Sequence, residues 1–147
     1  KTFGGATIAT INGLIVLVIS SALGFIEFGI GTLLAIPFMV LIAISFVAMG
    51  LIIASRMKSM EGFQMIMSFL VMPIFLLSGA LFPLNNVPDA MRIISYLDPL
   101  SYGIDGIRGS LIGITNMGLI VDFFMLLGIS VGLIMVGTLM FKKSTQL

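Results

Sequence analysis

Charge is what this chain has least of. Only 9% of its 147 residues are Asp, Glu, Lys or Arg, while 59% are hydrophobic. A soluble globular domain carries about 25% charged residues. A surface this poor in charge excludes a water-soluble fold and makes lipid the solvent for most of the chain. Cysteine and histidine are absent. Their absence removes thiol catalysis, disulfides, zinc sites and imidazole acid–base chemistry together, though it says little about redox compartment. The net charge of +1 provides no basic field for a nucleic acid. No G-x-x-x-x-G-K-[ST] loop occurs, since the adjacent Lys142 and Lys143 lack the glycines; ATP hydrolysis therefore falls to another chain. The sequence opens on Lys1 and turns apolar at once, without a small-residue cleavage signature. That pattern reads as a piece of a longer polypeptide rather than as a signal peptide.

The few charges divide the chain. None lies between Lys1 and Glu27, between Glu27 and Arg56, between Glu61 and Asp89, or between Asp122 and Lys142. A span needs roughly 20 apolar residues to cross about 30 Å of hydrocarbon. The expected fold is therefore an all-α integral membrane protein, one transmembrane domain over residues 1–147 with spans near 6–25, 31–54, 62–82 and 117–141. Helix is required because lipid offers backbone groups no partner, and no alternating barrel pattern occurs. With four spans, Lys1, Arg56, Lys58, Lys142 and Lys143 share one side, which the positive-inside rule makes cytoplasmic. Arg92 and Arg108 fall on the other side, accompanied by Asp89, Asp98 and Asp105. Pro73 is expected to kink the third span, and Pro37 to kink the second or leave its start ragged.

The stretch from Ser78 to Gly113 differs from the rest. Small residues and Pro83 end the third span. Asn85-Asn86 can cap a short helix through Pro88 and Asp89, with Met91, Ile94 and Leu97 on one face. Asp98-Pro99 stops it. Ser101 can cap a second short helix with an Ile104, Ile107, Leu111 stripe and an Asp105–Arg108 pair at i,i+3. Neither helix is expected to span. The pattern fits a re-entrant pair that dips into the outer leaflet and returns, and equally an external loop with interfacial helices.

Taken in order, Glu61-Gly62-Phe63-Gln64, Pro73, Leu77-Ser78-Gly79-Ala80-Leu81-Phe82-Pro83, Val87-Pro88, Leu97-Asp98-Pro99-Leu100-Ser101-Tyr102 and Ile107-Arg108-Gly109 resemble the signature of type-2 ABC transporter permeases. That family includes drug, antibiotic and polysaccharide exporters. The resemblance implies a permease subunit that pairs with a second permease copy and binds two ABC ATPase subunits, with further spans ahead of these four. It implies no cofactor on this chain, with ATP and Mg on the partner ATPase. It places the chain in a plasma membrane with both ends of this segment cytoplasmic. It also implies a re-entrant outer gate over residues 85–113, with Pro73, Gly79, Pro83, Pro88, Asp98, Pro99, Tyr102, Asp105 and Arg108 as its structural residues. Arg56, Lys58, Glu61 and Gly62 become the cytoplasmic side, where an ATPase can touch.

Other residues receive structural readings. Asp122 sits near the helix N-terminus of the last span, where negative charge is favoured. Asn12 is polar inside the first span and is expected to hydrogen-bond between helices. Gly128 and Gly132, and likewise Ala9 and Gly13, make small-x-x-x-small steps expected to pack within the chain. The 12 Met residues are scattered through the spans without His or Cys. They suit flexible packing or a greasy substrate surface better than copper. Asp89, Asp98 and Asp105 have arginines nearby and no second catalytic group, so pairing and capping account for them. The expected function is export of a lipophilic or amphipathic substrate by alternating access, driven by a partner ATPase. A passive channel or carrier, or a structural subunit that moves nothing, is the alternative.

Overall fold

The structure, a computed structural model, describes residues 2–81 and 87–144, with the backbone alone over 141–144. Its helices are α1 (Thr2–Ala22), α2 (Ile30–Ala54), α3 (Met60–Leu77), α4 (Asp89–Ser95), α5 (Pro99–Ile112) and α6 (Leu119–Ser144). No strand occurs among the described residues. Four helices, α1, α2, α3 and α6, are long and apolar enough to cross a membrane. Lys1, Pro83 and the Asn85-Asn86 cap lie outside the described residues, as do the side chains of Lys142 and Lys143.

α2 is the hub. It carries no charge along its length, as suits a helix surrounded by other helices and lipid. Small residues, Ala35, Ala43, Ser45 and Ala48, are buried along it and let neighbours approach closely. α1 packs on it in the opposite direction: Gly5 faces Val47 and Gly13 faces Met39. α6 packs on it in the same direction, because Phe38 meets Phe123, Ser45 meets Ser130 and Ile52 meets Gly137. These registers fix which termini lie together. The start of α1, the α2–α3 turn and the end of α6 occupy one end, called here the basic end after Arg56 and Lys58. The α1–α2 turn, the α5–α6 loop and the start of α6 occupy the other, the hairpin end, from which α5 reaches inward along α2.

A polar clamp holds α6 to α2 in mid-bundle. The Ser45 and Ser130 hydroxyls lie 2.7 Å apart, both buried, and Ser130 is also 2.7 Å from the Leu126 carbonyl. Around it sits the core of Phe38, Leu41, Tyr102 and Leu126. Phe38 and Phe123 meet edge to face, with ring centroids 5.9 Å apart, the arrangement the ring quadrupoles favour.

α3 stands apart. Ser59 caps it by accepting from the Gly62 amide at 3.2 Å, and Glu61 occupies its first turn, where the helix dipole favours an acid. The helix continues through Pro73 to Leu77, and α2 continues through Pro37. None of its residues is buried.

Two expectations about the spans are corrected. Asn12 is exposed on α1 and makes no interhelical hydrogen bond among the described residues. Gly128 and Gly132 face open space on α6 rather than a helix of this chain, and it is Ser130 between them that turns inward. The reason is common to both. Lipid is as apolar as Leu, so the inward face is chosen by close backbone fit and internal hydrogen bonds, which a small-residue step alone does not fix.

Candidate functional site

The candidate site is the α4–α5 hairpin with the helix ends it joins. α5 begins at Asp98, whose carboxylate accepts from the Leu100 amide at 2.9 Å, and Pro99 takes the first helical position, where its missing N–H costs nothing. Asp98, not Ser101, is therefore the cap; Ser101 sits buried behind it with its hydroxyl 3.4 Å from the same carboxylate. Burial pushes the Asp98 carboxyl up from its ordinary 3.8 to about 6, against the lowering effect of the Leu100 amide and Ser101 hydroxyl. At its far end α5 stops at Gly113, whose φ of 74° is the left-handed conformation of a helix C-cap.

α5 lies along α2 rather than across its end. Gly103 rests on Ile42, Gly106 on the Phe38 ring, and Gly31 on the Ser110 carbonyl. A Cβ at any of the three would collide with those atoms, so only glycine permits this approach. Ile42 is twelve residues into α2, which at 1.5 Å per residue puts Gly103, in the first half of α5, about 18 Å in from the hairpin end of α2. From there α5 rises antiparallel to α2.

Named hydrogen bonds fasten the hairpin to its surroundings. The buried Ser95 hydroxyl of α4 donates to the Leu77 carbonyl at 2.6 Å, with the Met91 carbonyl 3.0 Å away. Arg108 of α5 donates to the Gly79 carbonyl at 2.9 Å. Gly79 has a φ of 79°, a turn conformation that favours glycine. Tyr102 donates from its hydroxyl to the Tyr96 carbonyl at 2.7 Å, closing the α4–α5 corner. Burial pushes the Tyr102 phenol up from its usual range.

Asp105 holds the far side. Its carboxylate accepts from the Asn116 amide at 2.8 and 3.0 Å, the Asn116 side-chain nitrogen at 2.8 Å and the Met117 amide at 3.0 Å. It thereby organises the loop that leads into α6. The expected Asp105–Arg108 pair does not form: each side chain has a backbone carbonyl or amide partner across a helix junction instead, which satisfies a buried group that an i,i+3 surface pair would not. Ile104, Ile107 and Leu111 are only half-buried, whereas Tyr102, Gly103, Asp105, Gly106 and Gly109 are buried. α5 turns its small and polar face inward, with Ile107 also packed against the core, and leaves Ile104 and Leu111 half-exposed at its edge.

The remaining expected residues are placed as follows. Pro88 precedes α4 and makes no side-chain cap, Asp89 and Arg92 pair on its exposed surface, and Met91, Ile94 and Leu97 are all exposed. Pro73 is exposed on α3, where it borders an open groove of about 590 Å³ lined by Met65, Phe69, Met72, Leu76 and Met91. Arg56, Lys58 and Glu61 are exposed at the basic end and Gly62 is half-buried. Asp122 is in the first turn of α6 and fully buried, beside α5. The Ser45–Ser130 clamp and the Ser59 cap were not expected. The cap had a signal, a serine three residues before Gly62 at the start of an apolar run. The clamp had none, since its partners are 85 residues apart.

A bundle of apolar spanning helices with an inserted, glycine-packed hairpin before the last one defines a polytopic membrane component, with no group of metal-binding residues among those described. Residues 1–112 match the ABC-2 type transporter family, and the chain belongs to it. The chain is accordingly a membrane component of a transporter rather than a catalytic subunit. It is 32% identical over 108 residues to nodulation protein J of Rhizobium meliloti (strain 1021), covering 74% of this chain and 41% of that protein. Nodulation protein J of Rhizobium leguminosarum bv. trifolii is 31% identical over the same shares. The inner membrane transport permease YadH of Escherichia coli (strain K12) is 27% identical over 121 residues, 82% of this chain and 46% of that protein. The chain thus spans less than half the length of these relatives. No solved structure matches it.

Proposed function

We propose that this chain is the gated part of the permease subunit of an ABC exporter, which moves a lipophilic or amphipathic substrate outward by alternating access. The observation that carries the reading is the contrast at the groove. A spanning helix with no buried residue, α3, stands beside a hairpin fixed to the rest of the bundle, and the open groove between α3 and α4 exposes almost only apolar atoms. A helix so placed has the freedom to move against its neighbours, and a groove so lined suits an acyl chain or another greasy moiety. In this reading the hairpin is the outer gate, with Pro99 and Tyr102 shaping its corner and Arg108 latching it to Gly79 at the end of α3. The basic end faces the cytoplasm, and Arg56, Lys58 and Glu61 lie where a partner ATPase carrying ATP and Mg can bear on α2 and α3. A relative named as an inner membrane transport permease supports a plasma-membrane location. A second permease copy would complete the conduit on the open side of α3.

The test is purification of the affinity-tagged full-length parent in mild detergent. An ATPase subunit should accompany it in stoichiometric amount. In that complex Arg108→Glu or Pro99→Ala should lower ATP turnover more than it lowers membrane insertion. A permease that purifies without any ATPase, even with nucleotide trapped by vanadate, would turn the account toward a passive channel or a structural subunit.

A further inference from the structure

α6 opens with a feature that transport by an outside motor does not require. Asp122 is 0% exposed, and among the described residues neither of its carboxyl oxygens has a hydrogen-bond partner. A buried carboxylate without a donor is among the costliest groups a protein can hold. Its neighbour is another acid. The packing of α5 on α6, with Gly103 against Leu126 and Gly109 against Leu119, sets the buried Asp105, 2% exposed, opposite Asp122. The hydrogen bonds Asp105 receives all come from N–H donors: the Asn116 amide and side chain and the Met117 amide. Two adjacent charged carboxylates in a dry site repel, and the ordinary resolution is a single proton held between them.

Among the described residues no cation is placed to resolve it otherwise. α2, from Ile30 to Ala54, has no ionisable residue. α5 brings only Asp105 and the Tyr102 phenol toward Asp122, while its Arg108 is turned to Gly79 at the α3 end. Asp98 is at the other end of α5, occupied with its cap. The loop from Gly113 to Gly118 has no ionisable side chain, and α6 has none between Asp122 and Lys142. No group of three acidic, Cys or His residues suited to a metal occurs among the described residues.

We propose that Asp122 is a proton-binding site: its carboxyl carries a proton that it donates to the Asp105 carboxylate, and this acid pair joins the last span to the inserted hairpin. The inference does not rest on what the permease moves or on its energy source. Asp105 then has a double task, accepting the loop amides on one side and the Asp122 proton on the other. The joint couples the position of α5 to the start of α6 at the point where the loop between them is fixed.

The experiment compares the full-length permease with its Asp122→Asn variant by infrared difference spectroscopy and thermal melting, both at neutral pH. Asn is the uncharged isostere of a protonated Asp and can donate to Asp105 in the same place. The variant is therefore expected to fold and to melt close to the wild type. The wild-type-minus-variant spectrum is expected to contain the carbonyl stretch of a protonated carboxyl. A pair of carboxylate bands in its place would overturn the proposal, because Asp122 would then be ionised. A variant that fails to fold, or melts far below the wild type, would overturn it equally, since removing no charge from the site should not unfold it.

Discussion

α5 and α3 flank α4 in the chain and are opposites in packing. α5 is only 14 residues long, yet glycines set it directly against α2, and Asp98, Tyr102, Asp105 and Arg108 each tie it or its corner to a named group. α3 spans 18 residues and buries none of them. The longer and greasier helix is the loosely held one. Within lipid, apolar length secures residence in the membrane but not a place in the bundle; close backbone contact and satisfied polar groups secure the place.

The sharpest way to break this comparison is to add side chains where the glycines are. Gly106→Leu would drive a side chain into the Phe38 ring and should destabilise the bundle by about 1–3 kcal/mol or more, the usual cost of overpacking. Gly128→Leu adds the same side chain where nothing lies within 4 Å and should move the melting temperature little. Equal losses from the two would mean that α5 is not held by its contact with α2.

A smaller effect is expected from Asp98. Its carboxyl titrates at about 6 in the fold against an ordinary 3.8, chiefly because of burial. A folded value above the unfolded one means that the contribution to stability is complete below the unfolded value and is lost as pH rises through the folded value. The melting temperature should therefore decline between about pH 4 and pH 7 by a share that Asp98→Asn abolishes, while the amide oxygen keeps an acceptor for Leu100. A decline of the same size in Asp98→Asn would assign it to another group.

The spans were legible because charge is so scarce that its gaps have the length of a membrane. The hairpin was legible through Pro83, Pro88 and Pro99, which punctuate an otherwise apolar run, and through the order of its small residues. The face each helix turns inward was not legible. Hydrophobic periodicity points to the core only when the outside is water, and so the Ile104, Ile107, Leu111 stripe did not reveal that Gly103, Gly106 and Asp105 form the buried face. Partners far along the chain were also hidden. Nothing local to Asp105 announces the Asn116 and Met117 amides, and nothing near Arg108 announces the Gly79 carbonyl. Asp122 was noticed as an ionisable group in a span, but its place beside a second buried acid required the fold.

The measurement that tests the central claim most directly uses cross-links in the full-length permease–ATPase complex, freed of any other cysteine. One pair, Ser45→Cys with Ser130→Cys, joins α2 to α6 where the native hydroxyls are 2.7 Å apart, a separation that a disulfide can bridge. The other, Met72→Cys with Met91→Cys, joins α3 to α4 across the groove that both residues line, through a short bifunctional thiol reagent. The account predicts that the first link leaves ATP turnover near the uncross-linked rate and that the second arrests it. Turnover unaffected by the α3–α4 link, or arrested by the α2–α6 link alone, would contradict the assignment of α3 as the moving wall and of the hairpin bundle as the fixed one.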